Sequence, residues 1–188
     1  IDRGKKVKIK SITFEGNNSM KSGKQRRAMK DTKQRGIMRI FKRSKFNHTA
    51  YNRDKEAVLD KLRSVGLRDV RFVSDSVYKI DERNLGIHFK IDEGEKYYFG
   101  NITWIGNTKY SSGLLDTVLG IKYGDVYDKP LFDQRVHQSQ DGRDISSLYM
   151  DRGYLFFHIE PVETGVVDHH INYEMRMIEG KEARVKNV

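Results

Sequence analysis

His48, His88, His137, His158, His169 and His170 are the side chains here best suited to hold a metal or move a proton near neutral pH. None pairs with another at the i, i+4 spacing that lets one helix offer two ligands. The adjacent His169-His170 reads as turn residues beside a hairpin, with metal binding the lesser alternative. Cysteine is absent, which excludes disulfides, thiolate metal sites and a thiol nucleophile. Carboxylates are plentiful, yet no two stand where the pattern singles them out for acid–base work. The stretch Gly120 to Asp125, GIKYGD, has two glycines but neither the spacing nor the strand–loop–helix setting of a phosphate loop. The expectation is a protein that is not an enzyme and needs no cofactor.

The remaining chemistry is charge. Net charge is +10, and it is unevenly placed: residues 1–100 carry 26 Lys/Arg against 13 Asp/Glu, whereas residues 101–188 carry 10 against 13. Between Lys21 and Lys45 stand eleven basic residues and one acid, Asp31. Lys33, Arg35, Arg39, Lys42, Arg43 and Lys45 are the candidate contacts to an anionic partner. A solvated face is the plain alternative. With Phe41, Phe46 and Tyr51 nearby, phosphate contacts plus base stacking would also suit this stretch. The acidic second half argues against that, so no nucleic acid is expected.

The elements that position these residues come twice. Ile12-Thr13-Phe14-Glu15-Gly16-Asn17 matches Ile102-Thr103-Trp104-Ile105-Gly106-Asn107. VGLRDVRF, from Val65, aligns with RGYLFFHI, from Arg152, and IHFKIDEGEK, from Ile87, aligns with YEMRMIEGK, from Tyr173. Three anchors in the same order imply two copies of one unit, each large enough for its own core. Each copy starts with a strand ended by Gly-Asn, a pair that tolerates positive φ.

Two helices are expected next. The first is capped by Asn18 or Ser19 with Ala28, Met29 and Thr32 inward, or carries Leu114, Leu115, Val118 and Leu119 in the second copy. The second runs from about Asn52 to Gly66 with Val58, Leu62 and Val65 inward. Its counterpart runs from Asp128-Lys129-Pro130 to Gly153 with Ile145, Leu148 and Tyr149 inward. A strand holding Val70, Phe72 and Val73 then turns at Asp81–Asn84 into one that alternates Leu85, Ile87, Phe89 and Ile91. Ile171, Tyr173, Met175 and Met177 repeat those four positions. The order is β-α-α-β-β, an α+β fold, with bounds 1–94 and 95–181 and the start of a third unit at 182–188.

A three-stranded sheet has two edges, and each carries unpaired backbone groups. If the strand around Val70–Ser76 lies at an edge, Arg71, Phe72, Val73, Ser74 and Asp75 can take up an extended peptide by main-chain pairing. Pro161 in the matching strand of the second copy lacks a donor and favours an edge position. The plain alternative is an ordinary edge blunted by Arg68, Arg71 and Lys79.

This ordered set (FEGN and WIGN, Gly66-Leu67 and Gly153-Tyr154, and the two EG endings) resembles the polypeptide-transport-associated (POTRA) domains of outer-membrane protein assembly factors. The resemblance covers nearly the whole chain. It departs from the family pattern in the long basic connector, Gly36 to Tyr51, and in Leu67, where tyrosine is usual. It implies two tandem POTRA-like domains, each a three-stranded mixed sheet with two helices on one face. It also implies a periplasmic location, attached to the outer membrane through the protein's own C-terminal β-barrel outside this segment. Implied partners are unfolded outer-membrane proteins, received by β-augmentation, and accessory lipoproteins of the assembly complex, with an anionic membrane surface as a further partner for the basic connector. A two-partner-secretion transporter is the alternative within the fold. A single-unit cell-division protein is disfavoured by the repeat, and a basic nucleic-acid-binding module is the alternative from another class.

Overall fold

The computed structural model describes residues 8–34 and 47–183. Contacts divide it after Glu95 into two compact units, the second also taking in Ser64–Arg68. In the first unit the order is β1 (Lys8–Glu15), α1 (Ser22–Ala28), α2 (His48–Arg63), β2 (Arg71–Asp81) and β3 (Asn84–Asp92). The second contains β4 (Tyr98–Ile105), α3 (Ser112–Leu119), α4 (Lys129–His137), α5 (Ile145–Met150), β5 (His158–Val167) and β6 (His170–Ile178). Each sheet has three strands, ordered β1-β3-β2 and β4-β6-β5. The first strand runs parallel to the last, and the second antiparallel to it. Both sheets are therefore mixed and the class is α+β.

Alternation builds each core. Ile87, Phe89 and Ile91 of β3 are buried together with Ile9 and Ile12 of β1 and Val58 and Leu62 of α2. The Phe89 ring meets Phe14 at 5.1 Å, Tyr51 at 5.9 Å and Phe72 at 4.9 Å between centroids, joining β1, α2 and β2 at one point. In the second unit Ile171, Tyr173, Met175 and Met177 pack with Phe99, Leu115, Leu119, Phe132, Ile145 and Tyr149.

The repeated residues do the same physical job in both units. Gly16 has φ +82°, and a Cβ there would stand 2.1 Å from the carbonyl oxygen of Ile91; Gly106 has φ +89° and the same relation to Met177 at 2.3 Å. The neighbouring Asn17 side chain donates to the Met20 carbonyl at 2.9 Å, and Asn107 donates to the Tyr110 carbonyl at 3.0 Å. Glu93 accepts from the Ser19 backbone N–H at 2.9 Å, and Glu179 from that of Thr108 at 2.9 Å. These buried carboxylates pin the loop after the first strand to the end of the last.

Several expected details are corrected. The second unit has three helices, not two: the expected helix from Asp128 to Gly153 is interrupted. α4 ends at His137, Gly142 sits at φ +66°, and Asp144 starts α5 by accepting from the Ser147 backbone N–H at 2.9 Å. Neither Asn18 nor Ser19 caps α1, which starts at Ser22 with Lys21 at the N-cap and no side-chain cap bond; the Ser19 hydroxyl donates instead to Glu93 at 2.7 Å. α2 begins at His48 and not near Asn52; the Asn47 side chain accepts from the Thr49 N–H at 2.9 Å. Leu114 is exposed, leaving Leu115 and Leu119 as the inward pair of α3. β2 reaches Asp81, the first residue of the expected turn.

Candidate functional site

β2 is the outer strand of its sheet, hydrogen-bonded on one side to β3. Among the described residues no strand pairs with its other side, along which eleven residues run. Arg71, Phe72, Val73, Ser74 and Asp75 all lie on it, and the same strand continues beyond these five candidates through Ser76 to Asp81. Two register shifts interrupt the pairing with β3, one between Phe72 and Ser74 and one between Lys79 and Asp81. Val73 and Ile80 are the extra residues at these bulges, 55% and 40% exposed. Nothing in the residue types announces a bulge; the nearest signal is that alternation slips along RFVSDSVYKID.

Side chains brace this strand to α2. Asp75 Oδ2 accepts from the Tyr51 hydroxyl at 2.5 Å, and Oδ1 from Lys55 Nζ at 2.5 Å. Burial pushes the Asp75 carboxyl up, but the Lys55 ammonium and Tyr51 hydroxyl outweigh it and hold it below the usual carboxylate range. Burial and the neighbouring carboxylate push the Tyr51 phenol upward. Lys55 also lies 5.5 Å from the centroids of the Tyr51 and Phe72 rings. Arg71 pairs with Asp92 at 2.6 Å and Lys79 with Glu82 at 2.6 Å.

β5 is the corresponding outer strand of the second unit, with Pro161 opposite Met175 of β6 and a register shift between Glu163 and Gly165. Of the expected anionic contacts, Lys33 is described and half-buried. Arg35, Arg39, Lys42, Arg43 and Lys45 lie outside the described residues, as does most of the expected third-unit start.

The histidines have plain surroundings. His88 meets the Thr13 hydroxyl at 3.0 Å and Glu15 at 3.3 Å, and His170 stacks between Tyr98 and Tyr123. Among the described residues no three His, Asp or Glu side chains are gathered as a metal site would require. No described helix is long and apolar enough to cross a membrane.

Two copies of a three-stranded α+β unit, each with its second strand on the outside of the sheet, define a tandem of small sheet domains with open edges. The chain belongs to the POTRA family: the family model, described as surface antigen variable number repeat, matches residues 7–94 and 97–176. The outer membrane protein assembly factor BamA of Neisseria meningitidis is 30% identical over 132 residues, which cover 69% of this chain and 16% of that protein. The chain spans only 16% to 22% of the length of the curated relatives it matches. Among solved structures, POTRA domains 3–5 of Haemophilus influenzae BamA superpose with a TM-score of 0.65 at 17% identity, covering 94% of this chain and 67% of that one. Haemophilus ducreyi BamA lacking POTRA domains 1–3 gives 0.57 at 13% identity, covering 92% and 29%. At these identities the structural likeness carries the fold alone.

Proposed function

We propose that this tandem is a non-catalytic periplasmic binding and scaffolding module of an outer-membrane β-barrel assembly machine. It receives unfolded outer-membrane proteins by β-augmentation at the outer edge of β2, with Arg71, Phe72, Val73, Ser74 and Asp75 among the accepting residues. Accessory lipoproteins dock on the same module, and the protein's own barrel follows outside this segment. Membership of the POTRA family and relatives named as assembly factors support the setting. The observation that carries the binding mode is the position of β2 outside β3, with no further strand paired to it among the described residues.

A proline scan through Arg71–Asp75 tests this reading, with a photoreactive client peptide as probe. Variants that keep the parent circular dichroism and carry the ring at an outward N–H lose crosslinking to β2. Undiminished crosslinking in every folded variant overturns it.

The basic run from Lys21 to Lys45 supports contact with an anionic membrane surface, where each lysine or arginine gains about 1 kcal/mol. Co-sedimentation with anionic vesicles falls as salt rises; equal binding to neutral vesicles overturns that contact.

A further inference from the structure

We infer that Leu155, Phe156 and Ile178 form an apolar docking surface, and that its occupant is a further unit of the same fold beginning after Ala183. The occupant meets this surface with hydrocarbon, where the matching segment of the first copy, Ser64–Arg68, uses charge.

The two segments are built alike. The Gly66 carbonyl accepts from the Arg68 N–H at 3.1 Å and the Tyr97 N–H at 2.8 Å; the Gly153 carbonyl accepts from Leu155 at 2.9 Å and Ala183 at 2.8 Å. A Cβ on Gly94 would lie 3.3 Å from that of Asp69, and one on Gly180 3.3 Å from that of Phe156. Leu155 and Phe156 therefore stand where the first copy has Arg68 and Asp69. Ile178, two residues before Gly180, stands where the first copy has Asp92, two before Gly94.

At three matching positions charge has become hydrocarbon, and all three side chains face water. Leu155 is 60% exposed, Phe156 78% and Ile178 67%. Phe156 lies against Gly180, and Ile178 is paired with His158. Alternation puts Phe156 and Ile178 on the same outer side, opposite the buried Phe157, Ile159 and Met177. Large apolar side chains gathered in one exposed place mark a contact surface.

The matching segment shows what covers such a place. Ser64–Arg68 packs as part of the second compact unit. There a Cβ on Gly66 would lie 3.1 Å from Val126 Cγ1, and the Arg68 guanidinium lies 5.6 Å from the Tyr97 ring centre and pairs with Glu163 at 2.9 Å. All three partners belong to the stretch that starts where the chain runs on through Tyr97. In the second copy the chain runs on through Ala183, held by the same hydrogen bond. Its curated relatives are several times longer, since the chain spans 16% to 22% of them. The unit that begins after Ala183 is therefore the occupant. Leu155 cannot pair with a carboxylate, and a charge buried against it would have no counter-charge. The occupant accordingly carries an apolar residue at the position that matches Glu163.

The full-length protein, purified alone in detergent micelles, tests this with a benzophenone photocrosslinker at position 156. The expected crosslink stays within one chain and maps to the unit after Val188. A crosslink to a second copy, to detergent or to a more distant part of the chain overturns the occupant. Hydroxyl-radical labelling of Phe156 and Ile178 is at least tenfold slower in the full-length protein than in the 188-residue chain. Equal labelling in the two overturns the surface. The double variant L155R/F156D places the first copy's pair there. With circular dichroism unchanged, it raises Ile178 labelling in the full-length protein at least tenfold. Protection that persists in this variant overturns the apolar contact.

Discussion

Gly106 packs so closely under the end of β6 that a methyl group on it would stand 2.3 Å from the carbonyl oxygen of Met177. Its φ of +89° is also one that L side chains rarely adopt. G106A therefore forces the backbone apart at a point where neither strand can yield, and at least about 2 kcal/mol of stability is lost. Trp104, the chain's one tryptophan, lies two residues away and donates its indole N–H to Asp116 at 2.7 Å. A urea titration followed by its fluorescence reads the loss directly. G113A is the control: that glycine is helical, a methyl group on it would meet nothing within 4 Å, and the same titration shows no loss.

Acid weakens the second unit through Glu179. Burial pushes this carboxyl up, but hydrogen bonds from Thr108, the Lys109 N–H and the Tyr149 hydroxyl outweigh burial and hold it below the ordinary range. A depressed carboxylate contributes stability that is full above its unfolded value of about 4.3 and is lost as pH falls through the folded value. Asp144 is lowered in the same direction. Urea midpoints of the parent chain therefore fall between neutral pH and pH 3. E179Q is less stable by about 1–3 kcal/mol at pH 7 and shows a shallower fall.

The first unit depends on Asp54, which is 2% exposed and stands on the inward face of α2 one turn before Val58. Its carboxylate accepts from the backbone N–H groups of Lys30, Asp31 and Thr32. D54A strands three donors just after α1, and thermal melting by far-ultraviolet circular dichroism shows a loss of about 3 kcal/mol. D54N keeps acceptor capacity and loses less.

Removing the Asp75 charge loosens β2 from α2. In D75N two charge-assisted bonds, at 2.5 Å each from Tyr51 and Lys55, become neutral or vanish. The carboxyl is 28% exposed, so the cost is modest, about 1–2 kcal/mol by urea unfolding. Amide exchange along Ser74–Lys79 speeds up in the free chain by more than it does at Ile87 or Phe89 of β3, because the inner strand keeps its other contacts.

Much of this was legible in the sequence because the repeated residues answer backbone demands that few residues can meet. Gly16 and Gly106 need positive φ and a missing Cβ; Gly66 and Gly153 end their helical segments at φ +98° and +88°. The strict alternation around Phe89 and Tyr173 located the buried faces. What escaped depends on single-residue events and distant partners. The bulges at Val73 and Ile80 shift a register without changing composition, and the donors that satisfy the inward Asp54 are amides 22 to 24 positions earlier. The break between α4 and α5 did have a signal: Asp141-Gly142 is a turn pair, followed by Asp144 as a cap, within what the outer periodicity read as one helix.

Pro161 sets an order as well as a shape. On the β-augmentation reading, two equivalent second-strand edges would let the tandem take up two extended segments through them. Pro161 takes a main-chain donor from β5, so that pair of edges is unequal, and a strand-forming ligand that uses them occupies β2 before β5.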